Sequence, residues 1–495
     1  MRLPQWPEPQ SRSNQLVIQL KGRQRPFLLS TYIINIPMQY TRTRNPASVP
    51  TNWAGFDRTE KKVRNTDPII FYCDHCGMEL DNIHTMNRFL MQDIPTRDGT
   101  IDRLNFTHHP LIDVGVLEDI ERGVEIRTFK DGILPGRDSI IHIGLMSGWT
   151  QEKLNNISRW LNQPNRRALL DDPRCHIVLD YSLEGFTDYA YDDIWSWIEQ
   201  NFLHERVIYV SGASNCEEIY RRWCSYNRVQ PNMRCAWYGF FADWVARRVP
   251  KDKTLAVNYK PGSKRIMCLN RRPHEHRMLL AAMIERNHLT EKIALSFPRG
   301  LNEDQDYQLP GYDNVGRLWK KFCRKSDGWL DYLTPAWQSL EEKLPLVADT
   351  SDFDTNHAGD LNIGLYEQYP VNVITETIFF TRGTFPSEKI WKPIAMGQIF
   401  IPMAGSFFLR ELRKMGFETF SPWINEDYDT IDDDHDRATA IVAEMRRLVE
   451  MPEHEFVELL SQCQTRIQHN QRLFLERNNL QKIVAQQFLD KVNAI

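Results

Sequence analysis

Ser387, Glu388 and Lys389 stand together in Phe385-Pro-Ser-Glu-Lys-Ile-Trp-Lys-Pro393, where a loop enters an apolar helical pattern. The first N–H groups of a helix have no partner within it, and its dipole is positive at that end. A carboxylate and an ammonium placed beside such an end suit a nucleotide: Glu388 can hold ribose hydroxyls while Lys389 meets phosphate. Taken without its surroundings, Ser387 is an ordinary N-cap and the two charges are surface residues of a helix start. The surroundings favour the first reading. A strand-like Val371-Asn-Val-Ile-Thr375 precedes the motif, and Gly397 leads from the helix into an apolar strand over residues 399–403. That is the order expected at the carboxyl edge of a doubly wound sheet, where ligands bind.

Ile374-Thr-Glu-Thr-Ile-Phe379 followed by Phe385 to Ile394 resembles the donor-binding motif of fucosyltransferase-like GT-B glycosyltransferases, over roughly residues 265 to 430. The chain also resembles a group of proteins encoded by tailed bacteriophages, which share Ala395-Met-Gly-Gln-Ile-Phe-Ile401 and the stretch from Leu409 to Phe420. The resemblance implies a nucleotide-sugar donor site containing Glu388 and Lys389, with Glu376 close to the donor. It also gives meaning to Leu269-Asn-Arg-Arg-Pro-His-Glu-His-Arg277, which follows a strand. Guanidinium forks match phosphate oxygens bidentately, so Arg271 or Arg272 is a diphosphate clamp on this reading. His274 and His276, two apart on an expected helix, cannot share a face and are not taken as a metal pair.

No Asp-x-Asp stands at a strand end, and Asp427, Asp429 and Asp432 to Asp434 read as a solvated loop, so transfer without a metal or other cofactor is expected. In that chemistry cations offset leaving-group charge and one base deprotonates the acceptor hydroxyl. Asp180 and Glu184, in Leu179-Asp-Tyr-Ser-Leu-Glu-Gly185 after a strand, are the candidates for that base. No match to an acceptor-domain motif is found in residues 1 to 260, so the acceptor stays open among a glycan, a protein and a modified DNA base.

These residues need a frame, and short β-branched runs alternating with helical patterns supply one. Strands are expected over 139–144, 175–180, 206–211 and 233–237, with helices over 150–161, 191–202 and 217–226 between them. Gly212-Ala-Ser-Asn215 reads as a cap-like turn into the last of these helices. After the Pro- and Gly-bearing segment from Lys251 to Lys264, a second series runs through a strand at 265–269, a helix at 273–287, a strand at 292–296, and the βα units around the donor motif. Residues 302–344 carry no clear elements. The expected fold is α/β and GT-B-like: an irregular region at 1–110, with strands at 27–36 and 68–72, a Rossmann-like acceptor domain at 111–260, a Rossmann-like donor domain at 261–436, and C-terminal helices at 437–495.

The 495 residues favour two or three domains, and 41% hydrophobic with 25% charged residues describes a folded globular chain. With 61 basic against 65 acidic residues there is no overall basic field for nucleic acid. The best apolar stretch, Phe27 to Met38, is short and interrupted, so no membrane span is expected. The opening MRLPQWPEPQSRSNQ has no apolar core of signal-peptide length, so export is not expected and a cytoplasmic setting follows, that of the host if the chain is viral. Nine scattered cysteines fit free thiols. Cys73 and Cys76 form a C-x-x-C that could serve half a zinc site, but no second pair follows, and a turn with two thiols is the simpler reading. A glycosyltransferase is thus the first reading. A non-catalytic virion or carbohydrate-binding protein, or a nucleotide-binding regulator, are the alternatives.

Overall fold

A computed structural model describes residues 67–72, 94–95, 101–102, 116–144, 151–299, 315–350 and 361–495, apart from 128, 130–131, 184, 186–189, 202, 204, 247, 251–254 and 327. The expected strand at 27–36, Cys73, Cys76 and Glu184 lie outside the described residues.

Two parallel sheets carry the architecture. The first has six strands: β1 (Ile69–Tyr72), β2 (Val124–Arg127), β3 (Ser139–Gly144), β4 (Cys175–Tyr181), β5 (Val207–Ser211) and β6 (Arg234–Trp237), in the spatial order β2-β1-β3-β4-β5-β6. The second has four, β7 (Ile266–Leu269), β8 (Ala294–Ser296), β9 (Val371–Thr375) and β10 (Ile399–Met403), ordered β8-β7-β9-β10. Every strand pairing in both is parallel. Strands covered on both faces must be apolar throughout, and the β-branched runs that marked them are buried along their whole length in β1, β4, β5, β9 and β10.

The helices between the first strands are α1 (Gln151–Leu161), α2 (Pro164–Leu170), α3 (Ala190–Asn201), α4 (Cys216–Asn227) and α5 (Phe240–Ala246). Those of the second series are α6 (Glu275–Arg286), α7 (Val315–Lys325), α8 (Thr334–Lys343), the single turn α9 (Ile363–Tyr366), α10 (Glu388–Met396) and α11 (Phe408–Lys414). Three more close the chain: α12 (Asp434–Glu450), α13 (Glu453–Leu475) and α14 (Arg477–Asn493), with Pro452 at the N-cap of α13.

The two-sheet α/β architecture and helical C-terminus agree with the expectation. Two details differ. The strand at 69–72 belongs to the first sheet, paired with both β2 and β3, where the sequence reading set it in an irregular region. Its four buried residues are too few to show which sheet would take them. The segment 302–344, unreadable in sequence, contributes α7 and α8, whose apolar faces meet through Trp319 stacked on Trp337 at 4.9 Å.

The two halves touch closely. Helix α5 of the first packs on α10 of the second, and Phe241 meets Phe385 edge-on at 5.8 Å. The last helix crosses back: α14 packs on β6 and α5.

Candidate functional site

In an open parallel sheet the crevice forms where neighbouring strands send their connections to opposite faces. For the order β8-β7-β9-β10 that point lies between β7 and β9. The carboxyl ends of these two strands are tied by the Thr375 hydroxyl, which donates to Asn270 Oδ1 at 2.7 Å, both residues being buried. Beyond β7 come Arg271, Arg272 and the start of α6. Beyond β9 come Glu376 and the loop to α10.

The α10 start has the geometry its sequence promised. Ser387 is in extended conformation at the N-cap, and its hydroxyl oxygen accepts the Lys389 N–H. The same hydroxyl donates to Glu376 Oε2, while the Ser387 N–H donates to Glu376 Oε1 at 3.2 Å. Glu376 is wholly buried. Burial pushes its carboxyl up to about 7, with the Glu388 charge adding and Lys389 and Ser387 pulling the other way. It therefore grips Ser387 and lies beneath the site. Lys389 Nζ donates to Glu388 Oε1 at 2.8 Å and to Ser387 Oγ at 3.0 Å. For Glu388, burial works to raise the carboxyl, but the ammonium groups of Lys389 and Lys392 outweigh it and hold the group below its ordinary range.

Among the arginines the structure divides the work differently from the sequence reading. Arg271 is drawn toward β8 by an ion pair with Asp349 at 2.6 Å, and Asp349 also takes the Ser296 hydroxyl. Arg272 is half-buried. With Arg277 and Lys389 it acts on His274, whose imidazolium is disfavoured down to about 3, burial being the largest cause. Arg277, absent from the candidates, is the buried member of this set. Among the described residues its Nη1 and Nη2 reach only the carbonyls of Arg272 and Thr375, at 3.3 and 3.5 Å, and its Nε makes no hydrogen bond. Burial lowers its guanidinium to about 10, although Glu388 and Glu376 favour the charge.

Against the expectation, the two histidines do not both lie on the helix. His274 is the extended N-cap of α6 and not a helical residue, so helix spacing does not apply, and its ring stacks on that of His276 at 6.0 Å. Burial keeps His276 neutral as well, with Arg277 next in effect. The acidic segment is also less solvated than expected. Asp429 is buried and accepts the Leu409 and Arg410 N–H groups at 2.7 and 3.1 Å, capping α11, because that helix start has no cap of its own. Asp433 caps α12, and Asp434 pairs with the buried Arg437 at 2.6 Å. Among the described residues, the one cluster with metal-ligand spacing is Asp433, His435 and Asp436, at the start of α12.

Three helix starts thus face this edge of the sheet. Those of α10 and α11 are filled by Ser387 with Glu376 and by Asp429. The start of α6 has no side-chain cap.

In the first half, Asp180 lies inside β4, which runs one residue further than expected to Tyr181, and it is sealed. Its Oδ1 accepts the Ser182 N–H at 3.0 Å and its Oδ2 meets His142 Nε2 at 3.1 Å, with both side chains wholly buried. His142 lies inside the apolar run of β3, where a lone histidine gives little sequence signal. The loop after β4 then reaches the donor motif: a Cβ on Gly185 would lie 2.5 Å from Phe385 Cβ. Residues from both halves therefore meet at Phe385, directly before Pro386 and two residues before Ser387.

No family model matches the chain, and no curated protein matches it. Solved structures do. It is similar to an α,α-trehalose-phosphate synthase (UDP-forming) from Burkholderia vietnamiensis at 11% identity and a TM-score of 0.39, over 74% of each chain. The α,α-trehalose 6-phosphate synthase of Burkholderia multivorans follows at 10% and 0.38, over 74% of this chain and 73% of that one. The enzyme of Burkholderia xenovorans, in complex with glucose-6-phosphate, follows at 10% and 0.37 over 79% of each. Identities and TM-scores this low attach no substrate to the chain.

Proposed function

We propose that this protein binds a nucleoside diphosphate sugar at the β7–β9 crevice and transfers the sugar to an acceptor held mainly by the first half. The observation that carries the reading is Arg277, buried in the first turn of α6 at a helix start with no side-chain cap, with Arg272 and Lys389 adding positive charge felt at the N-cap His274. Arg277 weighs most. A cation in the first turn opposes the helix dipole, and a buried guanidinium with no ion pair among the described residues costs stability, although Glu388 and Glu376 favour its charge. Such a placement is retained where an anion completes it.

In this reading the diphosphate lies between the α6 start and Lys389, with Arg271 at the rim once released from Asp349. Glu388 accepts from the ribose hydroxyls, and Glu376 fixes Ser387 beneath. As the bond from the anomeric carbon to the diphosphate oxygen breaks, the three cations offset the charge that develops on the leaving group. The fucosyltransferase-like motif at 374–394 supports a hexose or deoxyhexose donor. For the acceptor base, Asp180 is committed to His142 and Ser182, which makes Glu184 the first choice.

A thermal-shift and calorimetric screen over nucleoside diphosphates tests this. One base should bind the wild-type protein, and Arg277→Ala or Lys389→Ala should weaken it roughly 10- to 100-fold, the scale of a hydrogen bond to a charged group. Arg271→Ala should weaken it less. Undiminished binding in both Arg277→Ala and Lys389→Ala overturns the placement. The second reading, nucleotide binding without transfer, is favoured by the sealing of Asp180. Sugar released from the donor or moved to an acceptor by the wild-type protein excludes it.

A further inference from the structure

We infer that Asn215, a residue of the first half, is a positioning residue for the nucleotide site of the second. The inference rests on the proposed donor site. Asparagine is among the strongest N-cap residues, and Asn215 occupies the N-cap position of α4. Yet its side chain makes no capping bond there. Its amide is turned to the loop that leads into α10: Oδ1 accepts the Thr384 N–H at 2.9 Å, and Nδ2 donates to the Arg382 carbonyl at 2.7 Å. Next to it the Ser214 N–H donates to the Thr384 carbonyl at 2.7 Å, and the Ser214 hydroxyl donates to the same oxygen at 3.2 Å. One carboxamide, with an acceptor and a donor side by side, reads this backbone as a neighbouring strand would.

Ser214, Asn215 and Thr384 are buried, the last two at 7% and 1% exposure, so water competes little for the bonds among them, whereas Arg382 is an exposed residue. The grip is also close to the chemistry. Only Phe385 and Pro386 separate Thr384 from Ser387. The ring of Pro386 fixes its φ, Trp391 Nε1 holds the Pro386 carbonyl at 3.1 Å, and Phe385 is pinned by Phe241 and Gly185. A displacement at Thr384 is therefore passed to Ser387 and from there to Glu376 and Lys389. On this reading the first half helps to set the geometry of a site built on the second sheet.

Peptide-level hydrogen exchange on the full chain, with calorimetry against UDP and GDP, tests this in wild type, Asn215→Ala, Asn215→Asp and Ser214→Ala. Asn215→Ala should speed exchange across 381–389 about tenfold and weaken nucleotide binding by a similar factor, leaving α4 unchanged, because no cap is lost. Asn215→Asp supplies an excellent cap but sets a carboxylate against the Arg382 carbonyl. It should loosen 381–389 while α4 stays as firm or firmer, whereas a plain capping role predicts full rescue. Ser214→Ala, which removes one bond and spares the rest, should loosen the same loop by less, and keeps the question open to decision if Asn215→Ala does not fold. Unchanged protection of 381–389, or fraying confined to α4, overturns the inference. Should the wild-type protein bind neither nucleotide, the donor-site reading fails on its own, and exchange still decides whether Asn215 holds the loop.

Discussion

Glu376 shows what a single buried carboxylate does to the behaviour of the site. Its folded pKa of about 7 lies above the 4.5 of an ordinary glutamate, because burial disfavours the charge. Between these values the folded protein binds more protons than the unfolded chain, so stability falls as pH rises through that window. The full span is worth up to about 3 kcal/mol. Glu388, held below its ordinary value, acts with the opposite sign and elsewhere: its contribution is present above 4.5 and is lost as pH falls below it. Glu376→Gln keeps an acceptor for the Ser387 N–H and removes the titration. Urea unfolding at pH 5 and pH 8 should show the wild type losing stability at the higher pH and Glu376→Gln losing markedly less. An equal loss in both would assign the slope to another group. The same residue marks how far the sequence could be read. The Ser387 cap was legible from its place before an apolar helical pattern, but Glu388 and Lys389 drew weight only from the strands on either side, since a cap beside two charges is by itself an ordinary helix start. Glu376 entered only through resemblance, since nothing local to a strand end shows which carboxylate will be buried.

At the scale of elements, strands were easier to read than contacts between them. Runs such as Val207-Ile-Tyr-Val-Ser211 are apolar because both sheet faces are covered, and that pattern survives any tertiary detail. Asn215 could not be read as more than a cap, because its partners lie some 170 residues away. Arg277 did carry a signal, a cation in the first turn of a helix, but it was masked by a run of basic neighbours. Gly185 belongs to the same class of long-range constraint. A Cβ there would lie 2.4 Å from Ile378 Cδ1 and 2.5 Å from Phe385 Cβ. The isoleucine tip can rotate away, whereas Phe385 Cβ moves only with its backbone, and that backbone is held by Ser214 and Asn215. Gly185→Ala should therefore destabilise the protein by about 1–3 kcal/mol in chemical denaturation, the usual cost of overpacking. Ile378→Ala as a second change relieves only one of the two contacts, so most of that loss should persist in its background. Full recovery would place the strain at the isoleucine alone.

For the whole molecule, the closing helices bind the halves together. Strand β6 ends the first sheet, and an exposed edge strand invites pairing with other chains. Helix α14 covers this region: the Gly239 N–H donates to the Val484 carbonyl at 3.0 Å and the Trp237 N–H to Gln487 Oε1 at 3.1 Å. Leu480, Val484, Phe488, Leu489 and Val492 of α14 are buried. Meanwhile α13, one residue before it, packs on α10, with Trp391 stacked on Phe474 at 5.6 Å. The chain therefore leaves the second sheet through α13 and finishes on the first through α14. Phe488 is wholly buried, so Phe488→Ala should cost about 3–5 kcal/mol. That is a large part of the 5–15 kcal/mol typical of a folded protein. The loss should fall unevenly, because α10, α13 and the second sheet keep their own core. Limited proteolysis of Phe488→Ala near its melting temperature should first cut within residues 116–246 and leave a resistant fragment beginning near Leu255. Uniform cleavage across both halves would instead show that they melt as one cooperative body, coupled through Asn215, Phe385 and α5.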